Sequence, residues 1–308
     1  MESVIVTGAN GFIGRNLITK LIEKNYFIIA LDRSFSDDIF GHKNVKTIKC
    51  DLFNVDEIVE KLQKAKYVAF FHLAWAATSG PQRSDYEAQL KNVKMTCDCV
   101  KFAKKLNCKK FIYASSINEI ETYEYLSQND IKPGPGYIYG TGKLAAHLMA
   151  ETLAYQIEIE FIPVIITNIY GVGEKSARLI NSTIRKLLNN EHCSFTAGNQ
   201  TYDFIYIEDA INSIIAIASK GKAFNSYYIG SGKPDTLKSY LIALKNIVDN
   251  TASLGFGEIE FNGKSIDYSQ FELSKVKDDT GYINKYTFDE GIKLTLEYIK
   301  GDIRKWEF

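Results

Sequence analysis

Histidine is scarce in this chain, and so is any pattern that would hold a metal. The 308 residues include only His42, His72, His147 and His192, and no two stand at an H-x-x-x-H or comparable spacing, so no metal site is expected. The five cysteines, Cys50, Cys97, Cys99, Cys108 and Cys193, are odd in number and scattered, without a C-x-x-C pair. That excludes a disulfide framework and a zinc ribbon, and suits buried thiols in a reducing compartment. Neither sign of charge prevails. Lys plus Arg and Asp plus Glu each total 37, for a net charge of zero, which argues against a nucleic-acid footprint or a polybasic membrane surface. Long apolar runs are also missing. The first, Val4 to Val6, is too short for a signal peptide, and no window approaches the ~18 apolar residues of a membrane span. A cytoplasmic location is expected. The remainder, 45% hydrophobic and 24% charged, describes a globular chain with room for one large or two modest domains.

In the first half, apolar strands alternate with helical spacing. "SVIVTG" (3–8), "YFIIALD" (26–32), "VKTIKCDL" (45–52), "YVAFFHLA" (67–74), "KFIYASS" (110–116) and "EFIPVIITN" (160–168) read as strands. Helices are expected over 11–25, 56–65, about 85–106 and 138–156. Strands apolar on both faces, separated by helices, imply a parallel sheet covered on both sides, an α/β fold. Beyond residue 170 the rhythm loosens, with helices expected at 176–189, 208–219, 236–248 and 288–302 between turn-rich segments. We expect a first domain over 1–170 plus about 202–222, and a smaller α/β layer from about 171–201 and 223–308, packed on the C-terminal edge of the sheet.

"TGANGFIG" (7–14) joins the first strand to the first helix. Gly8, Gly11 and Gly14 permit a tight turn, close approach to a pyrophosphate and close helix packing. The N–H groups that open the helix would face the phosphates. Asp32 ends the second strand 18 residues after Gly14 (32 − 14), near the ~20 at which a carboxylate grips an adenosine ribose. This favours NAD over NADP. Arg33 leaves NADP open, since it can pair with a 2′-phosphate, stack on adenine or be a solvated surface charge.

"YIYGTGK" (137–143) holds two tyrosines and a lysine. On a helix Tyr139 and Lys143, four apart, share a face, while Tyr137 points elsewhere. A phenol ionises near pH ~10, and a fixed cation beside it favours the phenolate. Such a pair can move protons at neutral pH if a substrate and a redox partner adjoin it.

With the glycines, Asp32, "CDL" (50–52), "FHLA" (71–74), "YASS" (113–116) and "YGTGK" (139–143) in this order, the sequence resembles the extended short-chain dehydrogenase/reductase family. "TNIYGVGE" (167–174), "YDFIYIEDA" (202–210), "YIGSGKPDTL" (228–237) and "ELSKVKDDTGYI" (272–283) are similar to substrate-domain landmarks of its nucleotide-sugar epimerases, dehydratases and reductases. The resemblance implies a Rossmann doubly wound parallel sheet, a nicotinamide cofactor and a Ser–Tyr–Lys site at Ser116, Tyr139 and Lys143. It also implies cofactor contacts from Gly8, Asn10, Gly11, Phe12, Ile13, Gly14, Asp32, Arg33, Asp51, Leu52, Leu73, Ala74 and Tyr139, with Lys143 also on the nicotinamide ribose. Asn168 falls where the family touches cofactor or sugar nucleotide, and Asn92 where it has an asparagine on the long helix, or else a helix-surface residue. A homodimer is implied, through the helix after the fourth strand and the Tyr–Lys helix.

In that frame Tyr139 takes a proton from a sugar hydroxyl during oxidation and returns one during reduction. Ser116 hydrogen-bonds the reacting oxygen, and strand alternation points Ser115 away. Ile117 and Asn118 stand where 4,6-dehydratases carry an Asp–Glu pair, which argues against elimination. Glu119 and Glu121 read as surface charges. Tyr202 and Ile165 replace arginines that usually grip the diphosphate, and neither has a bidentate fork. Arg178, Arg185 and Lys275 are candidates to compensate. Trp75 can pack a sugar face, shield the nicotinamide or anchor its loop, and Arg83 can reach a phosphate or sit on a helix turn. The expected activity is hydride transfer at C4 of a nucleotide-activated hexose, as a 4-epimerase or a 4-ketoreductase. The alternatives are a reductase of a small non-nucleotide carbonyl compound and a non-catalytic sensor or scaffold.

Overall fold

The computed structural model describes residues 1–55, 58, 62, 66–126, 134, 136–261 and 265–304. Its strands are β1 (Ser3–Thr7), β2 (Phe27–Asp32), β3 (Val45–Lys49), β4 (Tyr67–His72), β5 (Lys110–Ser116), β6 (Glu160–Ile166), β7 (Asn168–Tyr170), β8 (Cys193–Phe195), β9 (Thr201–Tyr202), β10 (Phe204–Tyr206), β11 (Tyr227–Ile229), β12 (Asp235–Thr236) and β13 (Leu254–Phe256). Seven of them form one parallel sheet in the order β11-β6-β5-β4-β1-β2-β3. The order reverses direction at β1, and in such sheets ligands bind beyond the C-terminal strand ends at that point.

Period-two alternation builds the two faces. Val4, Val6, Ile28 and Ala30 enter one buried cluster, while Ile5, Ile29 and Leu31 enter the other. Each face is covered by helices, which the near-continuous apolar runs require. On the first face lie α1 (Phe12–Glu23) and a helix of residues Ile207–Lys220. On the second lie α2 (Tyr86–Lys105) and a helix over Tyr137–Gln156. Asp85 caps α2, its carboxylate accepting from the backbone of Glu87 and Ala88.

The expected elements recur with shifted ends, and three differences matter. The single strand expected over 160–168 is two: β6 stops at Ile166, and β7 pairs with β10 instead. A short helix, α3 (Ile117–Tyr125), follows β5 at once with Ser116 as its N-cap; no helix was expected there. β11 lies in the central sheet beside β6, so a boundary at residue 223 leaves out a strand that belongs with the nucleotide-binding sheet. The Tyr–Lys helix is α4 (Tyr137–Gln156), followed by α5 (Leu179–Leu188), α6 (Ile207–Lys220), α7 (Leu237–Val248), α8 (Lys275–Thr280) and α9 (Phe288–Arg304). The helix expected over 56–65 falls outside the described residues except for Ile58 and Leu62, both buried. Among the described residues no helix is long and apolar enough to cross a membrane.

Candidate active site

A cavity of about 470 Å³ opens at the C-terminal ends of the central strands. Gly8, Asn10, Gly11, Phe12, Ile13 and Gly14 form one wall, Asp32, Arg33, Asp51 and Leu52 the far end, and Leu73, Ala74, Tyr139 and Lys143 the near end. All fourteen positions expected to contact a dinucleotide therefore line one space.

The cavity fits such a ligand in shape and in donors. Gly8 has φ +66°, and a Cβ there would stand 2.8 Å from the Ala74 backbone nitrogen. Only glycine allows β1 and the loop after β4 to come this close and leave room between them. The helix after the loop has Gly11 as its N-cap with no side-chain cap, so N–H groups are left for an anion. Asp32 sits at the end of β2, its Oδ2 accepting from Asn10 N (2.9 Å) and its Oδ1 from Arg33 N. Asp51 accepts from Phe53 N (3.1 Å). Leu73 N donates to Thr7 O (3.3 Å) and Ala74 N to Thr7 Oγ1 (3.3 Å), tying the loop after β4 to β1.

A second cavity of about 580 Å³ adjoins the first. Ser116 and Tyr139 line both, as do Thr167 and Arg178. Its aromatic wall includes Tyr170, Tyr202, Phe204, Phe261 and Tyr268. Tyr202 lies flat on Phe204, with ring centroids 5.5 Å apart and planes 9° apart. Asn168 lines this cavity too, with its Nδ2 donating to Asp203 O (3.4 Å). Of the three cations proposed to replace the missing arginines, only Arg178 borders the cavities; it is ion-paired with Glu174 at 3.5 Å. Arg185 is committed to the backbone oxygens of Glu174 and Ser176, and Lys275 rests over the Tyr227 ring at 5.5 Å. Ile165 is buried against Ile117, Tyr228 and Tyr268.

At the shared wall, Tyr139 is enclosed. Trp75 meets its ring edge-on, with centroids 6.2 Å apart, and the Arg83 guanidinium stacks over it at 4.4 Å from the centroid. Burial raises the phenol above its ordinary value. Arg83, a hydrogen bond with Ser116 and Arg178 pull it back, in that order, and Glu119 adds to the rise. The lysine was expected to do this work, but the cations that oppose burial most are the two arginines.

Lys143 is 4% exposed. Its ammonium donates to Ala114 O (2.7 Å) and stands 3.7 Å from the centroid of the Trp75 ring. Burial pulls it down to about 7, with the Glu119 charge resisting. The Trp75 indole in turn donates to Gln89 Oε1 (2.8 Å), so this ring is loop anchor and site wall at once.

Several readings made from sequence need correction. Glu119 is no surface charge: it is 1% exposed, accepts from Ser115 Oγ and lies 2.9 Å from His147 Nδ1. Ser115, expected to point away, lines the first cavity beside Ser116 though not the second, and its hydroxyl is bonded to the Glu119 carboxylate. Glu121 is half-buried, lines the second cavity and accepts from Asn118 Nδ2 (2.7 Å); burial raises its carboxyl. Asn92 is fully buried and holds the loop after β4 by two bonds, Ala76 N to its Oδ1 (3.0 Å) and its Nδ2 to Ala76 O (2.9 Å). Asn118 Oδ1 accepts from Arg83 Nη2 (2.8 Å) and Ser116 Oγ (3.2 Å).

The chain as a whole is similar to known proteins in sequence and in fold. A family model described as the NAD dependent epimerase/dehydratase family matches residues 4–230. The chain is similar to a CDP-abequose synthase of Salmonella muenchen, 25% identical over 96% of this chain and 97% of the relative. It is also similar to the dTDP-D-glucose 4,6-dehydratase of Homo sapiens, 27% identical over 99% and 92%. Among solved structures, the Bordetella bronchiseptica enzyme WbmF in complex with NAD+ and UDP superimposes with a TM-score of 0.80 at 23% identity, covering 99% of this chain and 94% of that one. With well over half its length matched, the chain belongs to the NAD dependent epimerase/dehydratase family.

Proposed function

We propose that the protein is an NAD-dependent oxidoreductase acting at C4 of a nucleotide-activated hexose, as a 4-epimerase or a 4-ketoreductase, with Tyr139 as its acid–base group. One observation carries this reading: Tyr139 and Ser116 stand in the walls of both cavities, so one phenol reaches a dinucleotide on one side and a sugar on the other. The glycine wall and Asp32 would hold the dinucleotide, and the carboxylate at the β2 end favours NAD over NADP. A nicotinamide dinucleotide held there would supply the hydride acceptor or donor for the sugar carbon.

The residues of the chain supply the rest. Tyr139 accepts the proton of the C4 hydroxyl during oxidation and donates one to the carbonyl oxygen during reduction. Ser116, fixed as N-cap of α3, hydrogen-bonds that oxygen and orients it. Lys143 holds the ribose and supports the phenolate. The nucleotide lies along the aromatic wall at Tyr202, Phe204 and Tyr268, with Arg178 on the phosphates, in place of the usual arginine forks. Elimination of water is disfavoured because Ile117 and Asn118 follow Ser116. An apolar exposed set on α2 and α4, including Tyr86, Leu90, Leu148, Met149 and Tyr155, supports a homodimer.

The test is turnover of UDP-, CDP-, GDP- and dTDP-hexoses by the wild type and Tyr139→Phe. The expected result is a loss of about 10²–10⁴-fold in the variant, with NAD affinity retained. Full activity in Tyr139→Phe overturns the reading. Cofactor retained through purification with no net NADH consumed marks the epimerase, and stoichiometric NADH consumption with a 4-keto sugar marks the reductase. If no nucleoside diphosphate raises the melting temperature while a simple carbonyl is reduced, the small-carbonyl alternative replaces it.

A further inference from the structure

Arg83 lies over the Tyr139 ring, whereas the Lys143 ammonium, one helical turn on, lies over the Trp75 ring, and the two cations differ in kind. Lys143 is buried and its ammonium is pulled down to about 7, so near neutrality it is only partly charged. Arg83 presents a planar, delocalised guanidinium instead of a compact ammonium. Its guanidinium carbon lies 4.4 Å above the Tyr139 ring centroid, Nη2 is anchored on Asn118 Oδ1 (2.8 Å), and Nε is buried without a hydrogen-bond partner. The main chain of Arg83 is held as well, since Gln89 Nε2 donates to its carbonyl (3.3 Å). Sequence offered this arginine only as a phosphate ligand or a helix-turn charge.

A cation over an aromatic face is attracted by the ring quadrupole, and more strongly once the phenol has lost its proton. We propose that Arg83 is a positioning residue for Tyr139, a fixed guanidinium that favours the phenolate and keeps the phenol oxygen turned toward the junction of the two cavities; this rests on Tyr139 being the acid–base group. The other groups around Tyr139 do not replace it. Arg178 also favours the phenolate but is half-exposed and paired with Glu174. Glu119 opposes ionisation from α3, Tyr113 lies beneath on β5, and Glu121 borders the second cavity bonded to Asn118. Ser116 contributes a hydrogen bond and no charge. The network Arg83–Asn118–Ser116 joins the guanidinium to the hydroxyl that orients the reacting oxygen, so one side chain fixes both.

The test needs no sugar. Tyrosine carrying ¹³C at Cζ is incorporated into the full chain saturated with NAD, and the Tyr139 signal is assigned by its absence in Tyr139→Phe. In Arg83→Gln, and equally in Arg83→Met, the Tyr139 titration midpoint is expected to rise by about one pH unit or more, tenfold less phenolate at a given pH. Arg83→Lys is expected to recover part of the shift. NAD affinity should stay within about twofold, because Arg83 borders only the second cavity. An unchanged midpoint in whichever of the two neutral variants folds overturns the proposal. So does a lower melting temperature or weaker NAD binding without a shift, since Arg83 would then be a structural anchor only. Failure of this titration leaves the role of Tyr139 standing, and failure of the sugar panel leaves the titration readable.

Discussion

His147 Nδ1 lies 2.9 Å from Glu119 Oε1, with both side chains buried and His147 one helical turn beyond Lys143. Burial pulls the imidazole down, but the hydrogen bond and charge of Glu119 outweigh it, and His147 ends above its ordinary value. The pair's stabilisation is therefore complete below about pH 6.5 and fades as the pH climbs through the raised value. Glu119→Gln should cost about 3–5 kcal/mol at pH 6 and clearly less at pH 9. Denaturant unfolding at the two pH values is the check, and an equal loss at both would contradict the pairing.

Lys143 gives the opposite sign. Its folded value, about 7, lies below the ordinary 10.5, so the unfolded chain binds more protons between those limits and stability from this group rises with pH across the window. Lys143→Met should abolish turnover yet stabilise the fold at pH 7 by about 1–3 kcal/mol, after allowing for the hydrogen bond lost to Ala114 O. The gain should shrink at pH 9. Melting temperatures of both proteins at both pH values test this, and a destabilised variant at pH 7 would show that the ammonium is not under strain.

What the sequence made legible was whatever depends on spacing along one element. The glycine loop, Asp32 and the four-residue step from Tyr139 to Lys143 line the first cavity as spacing implied, and so does Ser116, which only the family resemblance had pointed to. What it hid depends on partners far away in the chain. Glu119 turns inward because His147, 28 residues later, and Ser115 meet it there; nothing in "SINEIETYE" separates it from Glu121. Asn92 reads as a polar position on a helix until the loop after β4 folds back on it. Arg83 acquires its place only when α4 brings Tyr139 beneath it.

Gly140 tests how α4 is seated. A Cβ there would collide with Thr122 Oγ1 and the Asn118 backbone oxygen on α3, so the two helices meet at van der Waals contact beside the tyrosine. Gly140→Ala should cost about 1–3 kcal/mol and lower kcat more than it weakens NAD, since Tyr139 is the next residue. Calorimetry with steady-state kinetics checks both. Unchanged kcat would show that α3 yields without moving the phenol.

Asp32 tests cofactor choice. Its carboxylate borders the first cavity and also accepts from Asn10 N in the glycine loop. Asp32→Ala should weaken NAD by about tenfold or more, the worth of a charged hydrogen bond, and improve NADP relative to NAD. Titration of both dinucleotides by intrinsic fluorescence measures the ratio. A ratio that does not move would transfer the discrimination to Arg33.

The strand over Tyr227–Ile229 closes one side of the sheet by pairing with β6. On the ribosome, every other strand of that sheet emerges first, and the Val164–Ile166 edge of β6 must wait through some sixty residues for its partner. A nascent chain halted before residue 227 exposes that row of amides and carbonyls as an open template, prone to recruit another copy. Slow translation between β6 and β11 is therefore expected to lower the yield of folded chain.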